Sequence, residues 1–373
     1  MRSVRRVWAV HALPIISIVL SVILGSLVII FSEWLVDGQL DPGLAFKAYG
    51  ALVNGSVGSF NAMVNTLVAT VPLLLGGLSV GLGFKAGLFN IGAQGQFLMG
   101  ALGAVIVGVQ LNEAPGFIAM PVSLLAALVG GALWGFIPGF LKATRGAHEV
   151  VTTIMLNFVA VAFLAFMVSG PLKVPGTPSP ITLDVGTAAL PIVLGRNGHL
   201  GILIAPLMVI AYGFLLFRTT RGFEIRVAGA SPDAARYAGM SPRRLIIWTM
   251  TVAGMLAGMA GGLELLGTTH HMTASYGTTV GFDAIAVALL GRTSPIGIVL
   301  AALLFGAMNS GASAMQIQAG VPAELVGVLQ ATILFFLVAS PVIKRVFRLK
   351  SADTGLEEAG TFTSTYGGEA KIA

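Results

Sequence analysis

RTTRGFEIRVAGASPDAARYAGMSPRR, residues 218–244, is a polar island in an otherwise apolar chain, and its surroundings decide the fold. It carries six arginines (Arg218, Arg221, Arg226, Arg236, Arg243, Arg244) against two acids, Glu224 and Asp233, and uncharged apolar runs flank it on both sides. Within it, Ser231-Pro232-Asp233 reads as a helix start. Ser231 can cap free amides, Pro232 suits the first helical position, and Asp233 favours the positive end of the helix. Ala234, Ala235, Arg236, Tyr237 and Ala238 propagate the helix, and Gly239 is its stop. A second stop and start follows at Met240-Ser241-Pro242. A short, capped, basic helix between two membrane spans suits docking to a partner. A charged loop that only fixes topology would explain the arginines equally well.

Outward from the loop, the composition excludes a water-exposed globule. Of 373 residues, 56% are hydrophobic and only 10% are charged, where a soluble protein carries about 25% charged residues. The chain therefore reads as an integral membrane protein, all-α and polytopic. It has no cysteine, which excludes disulfides and thiolate metal sites. The net charge of +6 is a topology signal rather than a nucleic-acid one, because no basic stripe or RNA-binding aromatic signature accompanies it. Arg2, Arg5 and Arg6 precede an apolar stretch from Trp8 to Phe31, too long for a signal-peptide core, so it is read as the first transmembrane helix.

A helical span needs about 20 apolar residues. The candidates are 8–31, 60–84, 88–110, 117–141, 150–169, 200–217, 245–265, 279–291, 294–312 and 325–343. The short 279–291 segment makes the expectation eight to ten spans. With the N-terminus inside, alternation leaves Lys47, Lys173 and Arg196 outside and places the other 18 of the 21 basic residues inside. That bias predicts cytoplasmic N- and C-termini and a cytoplasmic 218–244 loop. The expected organisation is a transmembrane domain over 1–343 and a disordered cytoplasmic tail over 344–373. An inverted repeat, with halves of opposite orientation, is the internal symmetry expected of such a transporter. Residues 170–199 lie outside and contain five prolines. They are either a structured external cover or docking surface, or a plain connector.

Polar residues inside the apolar stretches are the candidates for a solute pathway. Gly81–Gly100 is dense in glycine and carries Asn90, Gln94 and Gln96. Read as one helix, the four-residue spacing puts Asn90 and Gln94 on the same side. Carboxamides offer donors and acceptors without a charge, which suits an uncharged solute; they also serve as hydrogen-bonding glue between helices. Asn157 is the strongly polar side chain at the centre of its span. Asp283, Glu264 and Glu324 are ionisable groups in apolar surroundings and are expected to face a bundle interior or water. His270-His271 reads as an external turn rather than a metal site. No Ser/His/Asp set or paired carboxylates suggest catalysis. No phosphate-binding GxxxxGK[ST] loop is present, so an ATP-driven process would need its ATPase, with ATP and Mg²⁺, on another chain.

Four stretches then share one resemblance. GLGFKAGLFNIGAQGQFLMGA (81–101), HEVVTTIMLNFVA (148–160), FEIRVAGASPDAARYAGM (223–240) and GFDAIAVALLGRTSPIG (281–297) occur in that order across the chain. Together they resemble the permease subunits of ATP-binding cassette importers for simple sugars, nucleosides and branched-chain amino acids, closest to the nucleoside-type branch. That branch often has glutamate where this chain has Gln94. The resemblance implies a multi-pass protein of the bacterial plasma membrane, surrounded by lipid and not binding nucleic acid. It implies a second permease subunit (identical or related), a separate ATPase subunit, and an extracytoplasmic substrate-binding protein. It implies alternating access, with Asn90, Gln94, Gln96, Asn157 and Asp283 as pathway candidates. Arg226, Ser231, Pro232, Asp233, Arg236, Tyr237 and Gly239 become the candidates for ATPase coupling. The rival expectations are a proton-coupled secondary transporter using Asp283 or Glu264, and a membrane scaffold without transport.

Overall fold

A computed structural model describes residues 2–38, 41–276 and 279–339, and these are predominantly helical. The expected tail over 344–373 lies outside the described residues. In chain order the helices are α1 (Arg2–Asp37), α2 (Pro42–Val57), α3 (Phe60–Lys85), α4 (Ala93–Gln110), α5 (Gly116–Arg145) and α6 (Glu149–Ser169). A short hairpin, β1 (Ile192–Leu194) with β2 (Gly198–His199), precedes α7 (Gly201–Arg218). Then come α8 (Thr220–Ala230), α9 (Pro232–Tyr237), α10 (Pro242–Glu264), α11 (Val280–Leu290), α12 (Pro295–Ala319) and α13 (Leu325–Val338).

Eight of these helices are long and apolar enough to cross a membrane, and α11 and α13 are shorter apolar helices. Each of the ten expected spans coincides with one of these ten helices. Six precede the arginine loop and four follow it, so an inverted repeat would not be centred there. Two helices in the described residues were not expected. One is α2, which starts as Asp41 accepts the Gly43 N–H at 2.8 Å with Pro42 in the first turn. The other is α8.

The described residues form two compact units, one from 2–66 with 304–339 and the other from 67–303. In the first, α1 packs on α13. Gly25 lets the backbone meet Leu329, and the Ser21 hydroxyl donates to the Leu329 carbonyl at 2.9 Å. Gln330 donates to Asn309 at 2.8 Å, joining α13 to α12.

The second unit is built on α4, α5 and α10 in backbone contact. A Cβ on Gly131 of α5 would fall 2.2 Å from the Gly254 carbonyl of α10, and one on Gly100 of α4 would fall 2.2 Å from Gly258 Cα. Lipid tails are as apolar as leucine, so helices in a bilayer gain by packing rather than by hydrophobic burial, and small residues allow the closest packing. The Ser79 hydroxyl adds a 2.6 Å bond to the Ala253 carbonyl, tying α3 to α10. The spanning windows of α4 and α10 are 72% and 67% buried, against 22% for α6 and α7. The first pair lies in the interior of the unit, and the second turns most of its side chains outward.

Candidate functional site

The interior polar residues converge on a break in the helical backbone. α3 ends at Lys85, where Gly87 adopts φ +69° and the Leu88 N–H folds back to the Gly83 carbonyl at 2.9 Å. Residues 88–92 are not helical, and α4 begins at Ala93. Inside a bilayer the amides and carbonyls freed by such a break must find partners within the protein. Four buried carboxamides are placed around it.

Asn90 and Gln96 face each other in a reciprocal amide pair. Asn90 Nδ2 donates to Gln96 Oε1 at 3.0 Å, and Gln96 Nε2 donates to Asn90 Oδ1 at 3.2 Å. Asn90 Oδ1 also accepts the Gly92 N–H at 3.1 Å. Asn157 reaches across from α6. Its Oδ1 accepts the Gly95 N–H in the first turn of α4 at 2.8 Å, and its Nδ2 donates to the Ile91 carbonyl at 3.0 Å. Gln94 Oε1 accepts the Gly281 N–H in the first turn of α11 at 2.8 Å. Asn157 thus caps α4 from another helix, and Gln94 does the same for α11. Asn90 does not share a helix face with Gln94, as a continuous helix would require; it sits in the break and turns to Gln96. Asp283 occupies the first turn of α11, where its carboxylate accepts the Thr279 hydroxyl at 2.8 Å. An acid there is favoured by the helix dipole.

The arginine loop folds as two short helices. Thr219 caps α8 by accepting the Gly222 N–H at 3.0 Å, and Ser231 caps α9 by accepting the Ala234 N–H at 3.3 Å. Pro232 starts α9, Gly239 leaves it at φ +78°, and Ser241-Pro242 starts α10. The inner face of the pair is apolar, with Ile225, Ala228 and Ala235 buried. Outward it presents Tyr237, 95% exposed, and the exposed pair Asp233–Arg236 at 3.7 Å. Arg226 instead lies over the Phe217 ring at 5.3 Å and donates to the Gly222 carbonyl, so it braces α8 on α7.

Gly229 is where this pair meets the break. A Cβ there would fall 2.2 Å from the Lys85 carbonyl oxygen and 3.1 Å from the Gly87 nitrogen. The residue types of the loop gave no signal for this contact, because it depends on what lies opposite.

At the other end of α7 and α10, residues 170–199 are a structured cover rather than a plain connector. Thr182 N–H donates to the Met272 carbonyl at 3.0 Å, Val185 N–H to His270 at 2.9 Å, and Leu190 N–H to Leu266 at 2.7 Å. Ile181 pairs with Thr273 as an isolated antiparallel bridge. His199, closing the hairpin, is buried beneath this layer and was not singled out by the sequence. Among the described residues no three His, Asp or Glu side chains converge as metal ligands would.

Comparison with known proteins adds a family. Residues 62–338 match the model described as the permease component of branched-chain amino acid transport systems. The chain is 38% identical to the guanosine ABC transporter permease protein NupP of Bacillus subtilis, over 89% of this chain and 94% of that one. It is 34% identical to the nucleoside ABC transporter permease protein NupB of Lactococcus lactis, over 89% of this chain and 91% of that one. It is also 34% identical to the glucose ABC transporter permease protein TsgB13 of Haloferax volcanii, over 91% and 90%. No solved structure matches.

Proposed function

Because this chain belongs to the branched-chain amino acid transport system permease family, and so is a membrane-embedded permease subunit of an ATP-binding cassette importer, we propose that its solute is a nucleoside. The 38% identity to NupP, against 34% to the glucose permease TsgB13, supports that choice over a simple sugar. In this reading the chain sits in a bacterial plasma membrane with the arginine loop in the cytoplasm. It pairs with a second permease subunit and takes solute from an extracytoplasmic binding protein. ATP and Mg²⁺ are held by a separate ATPase, and this chain catalyses no reaction.

The observation that carries the mechanism is the contact of Gly229 with Lys85 and Gly87. α9 offers Tyr237, Asp233 and Arg236 to the ATPase, with Ser231, Pro232 and Gly239 shaping its ends. α8, braced by Arg226, bears on the break between α3 and α4. Motion of α8–α9 then shifts a segment whose shape is held by Asn90, Gln96 and Asn157 and whose link to α11 is Gln94. These carboxamides set the wall of the pathway rather than supply free amides to it, and Asp283 steadies the start of α11. Such an arrangement suits rocking between inward- and outward-open forms.

The test is uptake of tritiated guanosine into vesicles holding this subunit, its permease and ATPase partners and the binding protein. Uptake should require internal or external ATP on the ATPase side and survive collapse of the proton gradient. Uptake that persists without the ATPase and stops with the gradient would favour a proton-coupled carrier using Asp283 or Glu264.

A further inference from the structure

Where α10 ends, away from the arginine loop, the helix widens into a π turn, Leu265–Thr269, and His270 follows with φ 58°. A π turn and a left-handed residue bearing a Cβ are both unfavourable locally and persist where the surroundings hold them. Here the holder is the 170–199 cover, bonded through Leu190 to Leu266 and through Val185 to His270.

His199 is packed on this turn. It is 1% exposed, and a Cβ on Gly267 would fall 2.6 Å from its ring. Its Nδ1 accepts the Gly201 N–H at 3.1 Å. In a neutral imidazole the proton is then on Nε2. Burial, and after it the neighbouring His270, hold the imidazole down to about 4, so the ring is neutral near pH 7. That Nε2–H is a buried donor with no acceptor. Nδ1 of His270 is also buried without a partner. The hydroxyls of Thr269 and Tyr276 lie within reach of each other, and neither has any other partner among the described residues.

His199 Nε2 and His270 Nδ1 are thus unsatisfied against one turn, with the Thr269 and Tyr276 hydroxyls beside them, and this is the one place in the unit where such groups cluster, since Ser123, Tyr212 and Thr249 are unpartnered singly elsewhere among the described residues. A buried donor without an acceptor is costly to keep, and it needs a reason. A solute that brings the missing acceptors and donors is one. The His199 imidazole and the two hydroxyls are neutral hydrogen-bonding groups, with the Glu264 carboxyl near Tyr276, which favours a polyhydroxylated or heterocyclic molecule rich in donors.

Building on the importer reading, we propose that His199, Thr269, His270 and Tyr276 form a solute subsite at the end of the pathway opposite the arginine loop. It takes an uncharged solute through hydrogen bonds to ring hydroxyls or carbonyl oxygens, as a ribose or a nucleobase presents. His199 supplies a donor, and the hydroxyls of Thr269 and Tyr276 serve as donor or acceptor.

The experiment measures binding of tritiated guanosine, with tritiated glucose as the comparison, to the purified permease–ATPase complex. ATP-driven uptake of the same probes in vesicles runs alongside. His199→Asn keeps an acceptor for the Gly201 N–H and removes the Nε2 donor, and Tyr276→Phe removes a single hydroxyl. Each should weaken binding of the transported probe about three- to tenfold, the effect of one hydrogen bond, with the ATPase still co-purifying. His199→Gln returns an N–H near the Nε2 position and should recover part of the loss. Binding of wild-type strength in both variants overturns the subsite. So does a fall in thermal stability of the solute-free complex with binding unchanged, the mark of a buried structural water. Should His199→Asn fail to assemble, Tyr276→Phe decides. A wild-type complex that takes up neither probe would remove the importer reading and the subsite with it.

Discussion

Gly229→Ala is the sharpest perturbation of the coupling mechanism, because it adds one methyl group where α8 touches the break. The new Cβ would lie 2.2 Å from the Lys85 carbonyl oxygen and 3.0 Å from its carbon, whereas ordinary contact begins at 3.4 Å. Backbone on both sides leaves no flexible side chain to swing away. The elements must separate by about 1 Å, and overpacking of this kind costs about 1–3 kcal/mol. Spread over a two-state equilibrium that the contact biases, that energy corresponds to about a 5- to 150-fold change in coupling. The docking face is untouched, since Tyr237 lies on α9 and is solvent-exposed. The expected outcome is therefore a split. The ATPase subunit co-purifies at normal yield and hydrolyses ATP, while solute moved per ATP falls at least fivefold. Proteoliposome uptake measured together with phosphate release reads both. Normal stoichiometry in a well-assembled Gly229→Ala complex would refute transmission through this contact. Loss of the ATPase from the complex would place Gly229 in docking instead.

Three further outcomes are expected. Tyr237→Ala and Asp233→Arg should reduce ATPase co-purification while membrane insertion is normal, and full recovery of the ATPase with both would remove α9 from the docking face. Asn157→Leu strands the Gly95 N–H and the Ile91 carbonyl, at about 1–3 kcal/mol each, so it should lower the melting temperature in detergent as well as uptake; an unchanged melt with lowered uptake would return Asn157 to direct solute contact. The buried His199 imidazole titrates near 4 in the folded protein against 6.5 when exposed. Its stabilising effect is fully present above pH 6.5 and is lost as pH falls toward 4, up to roughly 3 kcal/mol. The melting temperature should therefore drop more steeply over that window in wild type than in His199→Gln, and parallel curves would contradict a neutral, buried ring.

What was legible in the sequence, and what was not, follows from the range of the interactions. The ten apolar helices and the start and stop of α9 rest on composition and on neighbours within three or four residues. Ser231, Pro232 and Gly239 therefore announced α9 unaided. Asp41-Pro42 carries the same kind of signal for α2, and Thr219 caps α8. Neither helix is read from the sequence, because the glycines and asparagine of residues 42–57 and the charges of the 218–244 loop mask a local cap. Gly81–Gly100 stands out by its glycine density, and spans are expected on either side of it over 60–84 and 88–110. Reading Asn90 and Gln94 on one face of the second span fails because α4 starts only at Ala93, so Asn90 lies in the break.

The roles of the carboxamides lie beyond any local reading. Asn157 meets Gly95 across 62 positions, and Gln94 meets Gly281 across 187. A buried amide in a bilayer has no solvent to fall back on, so its partner is fixed by the three-dimensional accounting of freed N–H and C=O groups. At the break that accounting explains every carboxamide as a cap or a cross-tie, and it is on this ground that they are proposed to shape the wall of a pathway rather than to touch solute. At the π turn the same accounting leaves donors over, on His199 and its neighbours. One rule thus separates two kinds of buried polar residue that look alike in the sequence. Groups consumed by the backbone set geometry, whereas under the proposal those clustered unmatched at the π turn meet a solute. Replacing a consumed group should cost stability first, and replacing an unmatched one should cost binding first. Asn157→Leu and Tyr276→Phe measured side by side make that order observable.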